Sequence, residues 1–203
     1  MIHSTKPNQS MMDGLFLSPA TVTVTETDIT QAVAYSQTVQ RDAQRWQAYL
    51  AMLARLGIEH WFQIRAPQLP LSDWSTDPAT DAVSHLQAGD FRLYLLVTDD
   101  PEEPTIAVPT AAIAAGQTHF YVLVTVLEEI EQVHVWGYWS QAAIVQRFPT
   151  LPEAALALPL DGFDRNLNTL LLCLRCLSPA TVAAPVAPRA INIRRWLNQQ
   201  LDE

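Results

Sequence analysis

Two runs of β-prone residues joined by a short acidic turn constrain the fold of this chain more than any other feature. The first run extends from His119 to Val126 and the second from Gln132 to Trp139, with the turn around Glu128 to Glu131. Runs of this kind with so short a connection pair as an antiparallel hairpin. The sequence therefore predicts a β-hairpin over these residues.

Alternation along the hairpin assigns its side chains to two faces. The face expected to be core carries Phe120, Val122, Val124, Val126, Val133, Val135 and Trp139. The opposite face carries Tyr121, Leu123, His134, Trp136 and Tyr138. We expect this second face to form a partly covered aromatic surface.

The N-terminal part of the chain predicts a short strand, Thr21 to Glu26, followed by a long helix. Asp28 and Gln31 have the spacing of a capping box, which starts the helix at Ile29. Apolar residues then recur at steps of three and four on one helix face: Val39, Ala43, Trp46, Leu50 and Leu53. Gly57 is a candidate helix end, and residues 58–65 either continue the helix or open a strand, with the helix favoured.

Shorter elements follow along the rest of the chain. They are a helical turn at 82–86, strands at 91–98 and 105–108, a helix at 141–147, and a helix at 165–177 capped by Asp164. Together these elements predict an α+β fold. In it, a long N-terminal amphipathic helix packs on an antiparallel sheet of about four to five strands, with a C-terminal helix and tail.

Composition divides the chain into four parts. We expect a flexible leader at 1–18, an α+β domain at 19–177, an Ala/Pro-rich linker at 178–190 and an amphipathic tail at 191–203. The linker composition favours an extended, semi-rigid segment. The tail resumes an apolar pattern and is expected to dock on the domain or on a partner.

Charge and composition exclude several classes of function. Of 203 residues, 49% are hydrophobic and 16% charged, which is typical of a packed globular protein rather than a disordered one. The net charge of −9 opposes binding to nucleic acid or to an anionic membrane. Neither a secretory signal nor a membrane span is visible, and two cysteines cannot build a disulfide framework. A cytoplasmic location fits these features.

Motifs for catalysis, metals and cofactors are missing from the sequence. Cys173 and Cys176 have a C-x-x-C spacing, but no further zinc ligands accompany them, and core packing is the favoured interpretation. Neither the G-x-S-x-G turn of a hydrolase nor a glycine-rich phosphate loop occurs. We therefore predict no catalytic, cofactor-binding or metal-binding residue, and no cofactor.

Aromatic residues are the strongest remaining functional signal, because Trp and Tyr concentrate at protein–protein hot spots. The predicted partner-binding residues are Tyr121, Trp136, Tyr138 and Trp196. The competing interpretation is that these side chains pack into the core against the long helix.

Several short motifs occur in a characteristic order. They are the Val108-Pro109 step, the strand Phe120 to Leu127 ending in Glu128, the strand through Gly137, and Ile191 to Leu197 with Asn192 and Trp196. In this order the chain resembles a cyanobacterial domain-of-unknown-function family (DUF1822-like). Many relatives continue into a β-rich portion, so the resemblance implies a short form. It implies no catalytic residues. Because relatives are often encoded near sigma factors, it also implies a regulatory role, with a sigma factor or signalling protein as partner.

Two functions are consistent with these features. The first is a non-enzymatic interaction or regulatory adaptor protein that acts through an aromatic or acidic surface. The alternative is a small-ligand-binding or enzymatic domain with a site assembled from scattered residues. The first candidates for that site are His119, His134 and Glu128.

Overall fold

A six-stranded sheet with a layer on each face dominates the computed structural model, which describes residues 19–74, 84–100, 102–127 and 131–177. In spatial order its strands are β1 Ala20–Thr23, β7 Gln132–Ser140, β6 Phe120–Leu127, β4 Phe91–Thr98, β3 His85–Ala88 and β2 Leu71–Asp73. Two further strands, β5 Thr105–Pro109 and β8 Ala155–Pro159, form a separate two-stranded sheet. The helices are α1 Glu26–Gln37, α2 Asp42–Arg65, α3 Thr110–Ala114, α4 Gln141–Arg147 and α5 Leu167–Cys176.

The α+β class is confirmed, but the main sheet is larger than expected and is not wholly antiparallel. It has six strands, and β4 and β6 are parallel neighbours. Parallel neighbours need a connection that crosses a face of the sheet, and here that connection contains β5 and α3. The hairpin of β6 and β7 is confirmed. The predicted leader, linker and tail lie outside the described residues.

Two helices replace the single N-terminal helix that the sequence predicts. Thr25 Oγ1 accepts from the Asp28 backbone N–H at 3.2 Å, and the Asp28 carboxylate accepts from the Thr25 backbone N–H at 2.8 Å. This capping box starts α1 at Glu26 rather than at Ile29. The chain then leaves the helix at residues 38–41 before α2 begins, so the predicted apolar stripe does not run along one continuous helix.

Helix α2 continues past Gly57, which confirms the helical alternative for residues 58–65. A Cβ atom added at Gly57 would lie 2.7 Å from the Cβ of Val133 on β7. Glycine therefore serves close packing of the helix backbone on the sheet, not helix termination. Trp46, expected on the buried face of this helix, is 44% exposed.

Helices α1, α2 and α5 cover one face of the sheet and enclose the larger core. The sheet contributes mainly valine and phenylalanine: Val22, Phe91, Phe120, Val122, Val124, Val126, Val133 and Val135. The helices contribute Leu50, Leu53, Ile58, Trp61, Phe62, Leu170 and Leu174. Among the described helices, none is long and apolar enough to cross a membrane.

The opposite face is covered by β5, β8, α3 and α4. Their core includes Leu96, Ile106, Val108, Ile113, Tyr121, Leu123, Trp139, Ile144, Leu156, Leu158 and Phe163. The Tyr121 hydroxyl donates to Gln141 Oε1 at 2.9 Å, and Gln141 Nε2 donates to the Ile113 carbonyl at 2.7 Å. These bonds hold α3 and α4 against β6. The layer covers much of the face that the sequence predicts to be an aromatic surface.

A β-bulge changes the alternation of side chains along β7. The residues on either side of Trp136 pair with consecutive residues of β6, which leaves Trp136 as the extra residue. Beyond it, Tyr138 joins the core under the helices and Trp139 joins the opposite core. The predicted assignment of these two side chains was wrong, because strict alternation does not hold across a bulge.

Buried Arg55 links α2 to strands β2 and β3 at one edge of the sheet. It donates to Asp73 Oδ1 at 2.7 Å and to the His85 carbonyl at 2.9 Å, and it forms an ion pair with Glu59. Residues 85 and 86, expected in a helical turn, instead begin β3, which pairs with both β2 and β4.

Candidate functional site

The aromatic residues predicted to bind a partner lie in different environments. Tyr121 is fully buried under α3 and α4, and Tyr138 is buried in the core under the helices. Trp136 is half-buried, and its ring centre lies 5.0 Å from the guanidinium carbon of Arg165. Trp196 lies outside the described residues. Of the three described aromatics, Trp136 is the one within reach of a partner at the surface.

The histidines named for the alternative site are not brought together. His119 immediately precedes β6, whereas His134 pairs with Thr125, further along the same strand. These positions are about 20 Å apart at the rise of a β-strand. Burial lowers the pKa of both imidazoles, and the Arg92 charge lowers that of His119 further. Glu128 lies outside the described residues, and the described part of the chain contains no cluster of side chains that could hold a metal ion.

Cys173 and Cys176 are free thiols near the C-terminal end of α5, the first buried and the second exposed. Burial, with the nearby negative charge of Asp164, raises the pKa of Cys173 to about 11. A thiol with so high a pKa is a poor nucleophile at neutral pH. Cys173 is therefore a packing residue.

A cleft of about 440 Å³ opens between the C-terminal end of α2, strand β1 and the N-terminal end of α5. Its lining combines apolar, amide and guanidinium side chains: Ala20, Thr21, Val22, Trp61, Ile64, Arg65, Arg165, Asn166, Leu167 and Asn168. Trp61 is buried in the core behind it, whereas Ile64 is 74% exposed. The cleft thus offers an apolar wall beside a group of hydrogen-bond donors.

Positive charge gathers at this cleft in a protein whose net charge is −9. Arg65 Nη2 donates to Asn168 Oδ1 at 3.4 Å, and Arg165 Nη2 donates to the Leu160 carbonyl at 3.5 Å. Arg175 also reaches this end of the molecule, where it donates to the carbonyl of Arg65. No carboxylate is among the described residues of the lining.

Local backbone geometry sets Arg165 beside the cleft. Asp164 pairs with Tyr138 of β7 through two backbone hydrogen bonds, of 3.0 and 3.1 Å. A Cβ at Gly137 would lie 2.6 Å from the Asp164 carbonyl oxygen, so glycine is needed for this approach. Asn166, rather than the expected Asp164, then caps α5. The chain therefore passes over the edge of β7 with Arg165 held above Trp136.

Sequence reasoning did not single out the arginine and asparagine residues of the cleft, which are Arg65, Arg165, Asn166 and Asn168. Each is an ordinary surface residue when considered alone, and they come together only through the tertiary fold. One feature of the sequence does point to this region. Gly137 inside a strong strand pattern is typical of a bulge or of a close backbone approach, and both occur there.

A family described as "Protein of unknown function (DUF1822)" matches residues 22–203. The chain belongs to this family. The match includes every residue of the cleft except Ala20 and Thr21, and it includes the segment Ile191 to Leu197 on which the resemblance depended. No curated protein and no solved structure matches the chain. The chemistry of the cleft is therefore the basis for a functional interpretation.

Proposed function

We propose that this protein is a cytoplasmic, non-catalytic interaction protein that acts as a regulatory adaptor, and that its cleft binds a carboxylate-bearing segment of the partner. The observation that supports this proposal most directly is that Arg65 and Arg165 line the same cleft. A guanidinium group matches a carboxylate with two parallel hydrogen bonds, and such charge-assisted bonds are among the strongest in proteins.

The composition of the cleft favours binding over catalysis. Its described lining has no imidazole, thiol or carboxylate that could act as a nucleophile or a general base. The indole of Trp136 lies against Arg165, which limits the freedom of that guanidinium before a ligand arrives. Preorganisation of this kind lowers the entropy lost on binding. Trp136 thereby contributes to partner binding by positioning Arg165.

The charge distribution favours a protein partner over nucleic acid. A net charge of −9 repels a polyanion at long range, whereas a short acidic segment of a protein can approach one positive cleft. A sigma factor or signalling protein is the partner class that the family resemblance suggests.

A second candidate function is the binding of a small organic acid or phosphate in the same cleft. Its volume of about 440 Å³ favours this candidate, because small-molecule sites typically measure about 300–1,000 Å³. This proposal replaces the scattered histidine site, since the cleft is the place where polar groups converge.

The two candidates are distinguished by what co-purifies with the protein from its native host. Tagged wild-type protein is compared with the double variant Arg65→Gln/Arg165→Gln by native mass spectrometry. Arg41→Gln is the matched control, because Arg41 lies at the other end of α2, about 36 Å away along the helix axis. We expect a protein partner that the double variant loses and the control keeps. A small retained anion with the same dependence supports the second candidate, and unchanged binding by the double variant contradicts both.

A further inference from the structure

The two edges of the main sheet differ in how they are protected. Edge strands are usually kept from pairing with other chains by short length, proline, or charged side chains. Both edge strands are short, and each directly follows a proline, Pro19 before β1 and Pro70 before β2. They differ in charge, since β2 ends in Asp73, which is bound to Arg55, whereas β1 has no charged residue within Ala20–Thr23. Among the described residues, none pairs with the outer side of β1.

The register identifies the main-chain groups that this edge presents. The backbone N–H of Val24 donates to the Glu131 carbonyl at 2.8 Å, so this pair is of the hydrogen-bonded type. Hydrogen-bonded and non-hydrogen-bonded pairs alternate in an antiparallel ladder. Thr21, opposite His134, and Thr23 are therefore in non-hydrogen-bonded positions. Their N–H and C=O groups point away from β7, into the space beside the sheet.

The open edge and the positive cleft meet at Thr21, which belongs to both. We propose, resting on the function proposed above, that the partner segment is an extended acidic peptide that adds to β1 as a further strand. Main-chain bonds to Thr21 and Thr23 supply the affinity of strand addition, and alternate carboxylates of the peptide pair with Arg65 and Arg165.

Charge decides between this occupant and a second copy of the chain. Pairing of β1 with β1 of another copy would bring two arginine clefts close together without any carboxylate in their described linings. Like charges brought close together repel each other, which opposes such a pair. An acidic segment instead gains ion pairs at the same positions, and its affinity falls as salt screens them.

The test uses fluorescence anisotropy with labelled peptides of about eight residues, the usual length of a strand. One peptide alternates glutamate and valine, and the matched peptide alternates glutamate and proline. The two carry the same charge, but the proline peptide cannot form a strand ladder. We expect the glutamate–valine peptide to bind wild-type protein at least about tenfold more tightly than the proline peptide.

Thr21→Pro removes the outward N–H and leaves the ladder to β7 intact, because proline is tolerated at such edge positions. It is expected to weaken binding of the glutamate–valine peptide at least about tenfold, whereas Thr21→Val, which keeps the N–H, binds like wild type. If Thr21→Pro does not fold, the comparison of the two peptides on wild-type protein decides whether the peptide binds as an added strand.

The outcomes separate this inference from the function on which it rests. Equal binding of both peptides to wild-type protein, with loss of binding in Arg65→Gln/Arg165→Gln, overturns strand addition and leaves the carboxylate cleft standing. Wild-type binding by that double variant overturns both. A dimer in light scattering that Thr21→Pro converts to a monomer, with no peptide bound, assigns the edge to a second copy instead.

Discussion

Replacing Gly57 with alanine is expected to destabilise the protein, although the same change stabilises most helices. In an exposed helix, alanine is favoured over glycine by about 1 kcal/mol. At Gly57, however, the new methyl group would lie 2.7 Å from Cβ and Cγ1 of Val133 and 2.9 Å from its Cγ2. Ordinary contact starts at 3.4 Å, so the separation of α2 from the sheet would have to grow by about 0.7 Å there.

A movement of that size would loosen the contacts that α2 makes along its buried face, including those of Leu53 and Phe62. Overpacking of a well-packed core typically costs about 1–3 kcal/mol, and a rigid helix against a rigid strand is near the upper end of that range. After the gain in helix propensity, we expect a net loss of about 2 kcal/mol in the free energy of unfolding.

Urea unfolding followed by far-ultraviolet circular dichroism measures this change. The midpoint should fall while the slope stays constant, since the same surface is exposed on unfolding. The double variant Gly57→Ala/Val133→Gly supplies the control. It removes all three clashing carbons and should lose about 1 kcal/mol less than the sum of the single variants. A Gly57→Ala protein as stable as wild type, or more stable, would refute the close packing of α2 on β7.

Three further predictions concern single side chains. Thr25→Ala removes the cap of α1 and should lower the free energy of unfolding by about 1 kcal/mol in urea titrations, whereas Thr25→Ser should restore most of it. Burial raises the pKa of the Tyr121 hydroxyl from 10.0 to about 12. The contribution of this group to the free energy of unfolding is therefore complete below pH 10 and is lost as pH rises through about 12. In thermal melts, the melting temperature of Tyr121→Phe should fall less steeply at alkaline pH than that of wild type. Iodoacetamide near neutral pH should alkylate exposed Cys176 and spare buried Cys173 in mass spectra, and equal labelling would contradict the burial of Cys173.

Elements defined by local pattern could be predicted from the sequence. The hairpin of β6 and β7, strand β4 and helix α4 occur where apolar periodicity indicated them. Helix α4 has the expected bounds, Gln141–Arg147. Strand β5 also occurs at the expected position, but its partner is β8, within a proline-rich stretch that had no strand signal. Such pairing depends on distant residues, which no local window contains.

Two local signals in the sequence indicate a turn and a helix start that the prediction lacks. Gly89-Asp90 joins β3 to β4 as a two-residue hairpin loop, a type that glycine followed by aspartate commonly indicates. Thr25 with Asp28 is a capping box one turn earlier than the Asp28–Gln31 pair. The cleft itself could not be predicted, because Arg65 and Arg165 become neighbours of one cavity only when α2, β1 and α5 have met.

The order of strands has a consequence for biosynthesis. Strand β1 is synthesised well before its partner β7, and the cleft is completed only by residues at the start of α5. Pairing between segments so distant in sequence forms late, because the loop between them must close first. A nascent or truncated chain therefore carries the Thr21–Thr23 edge without Arg165. In the proposed function, recognition of an acidic partner therefore requires that synthesis has passed the start of α5 and that this segment has folded against β1 and α2.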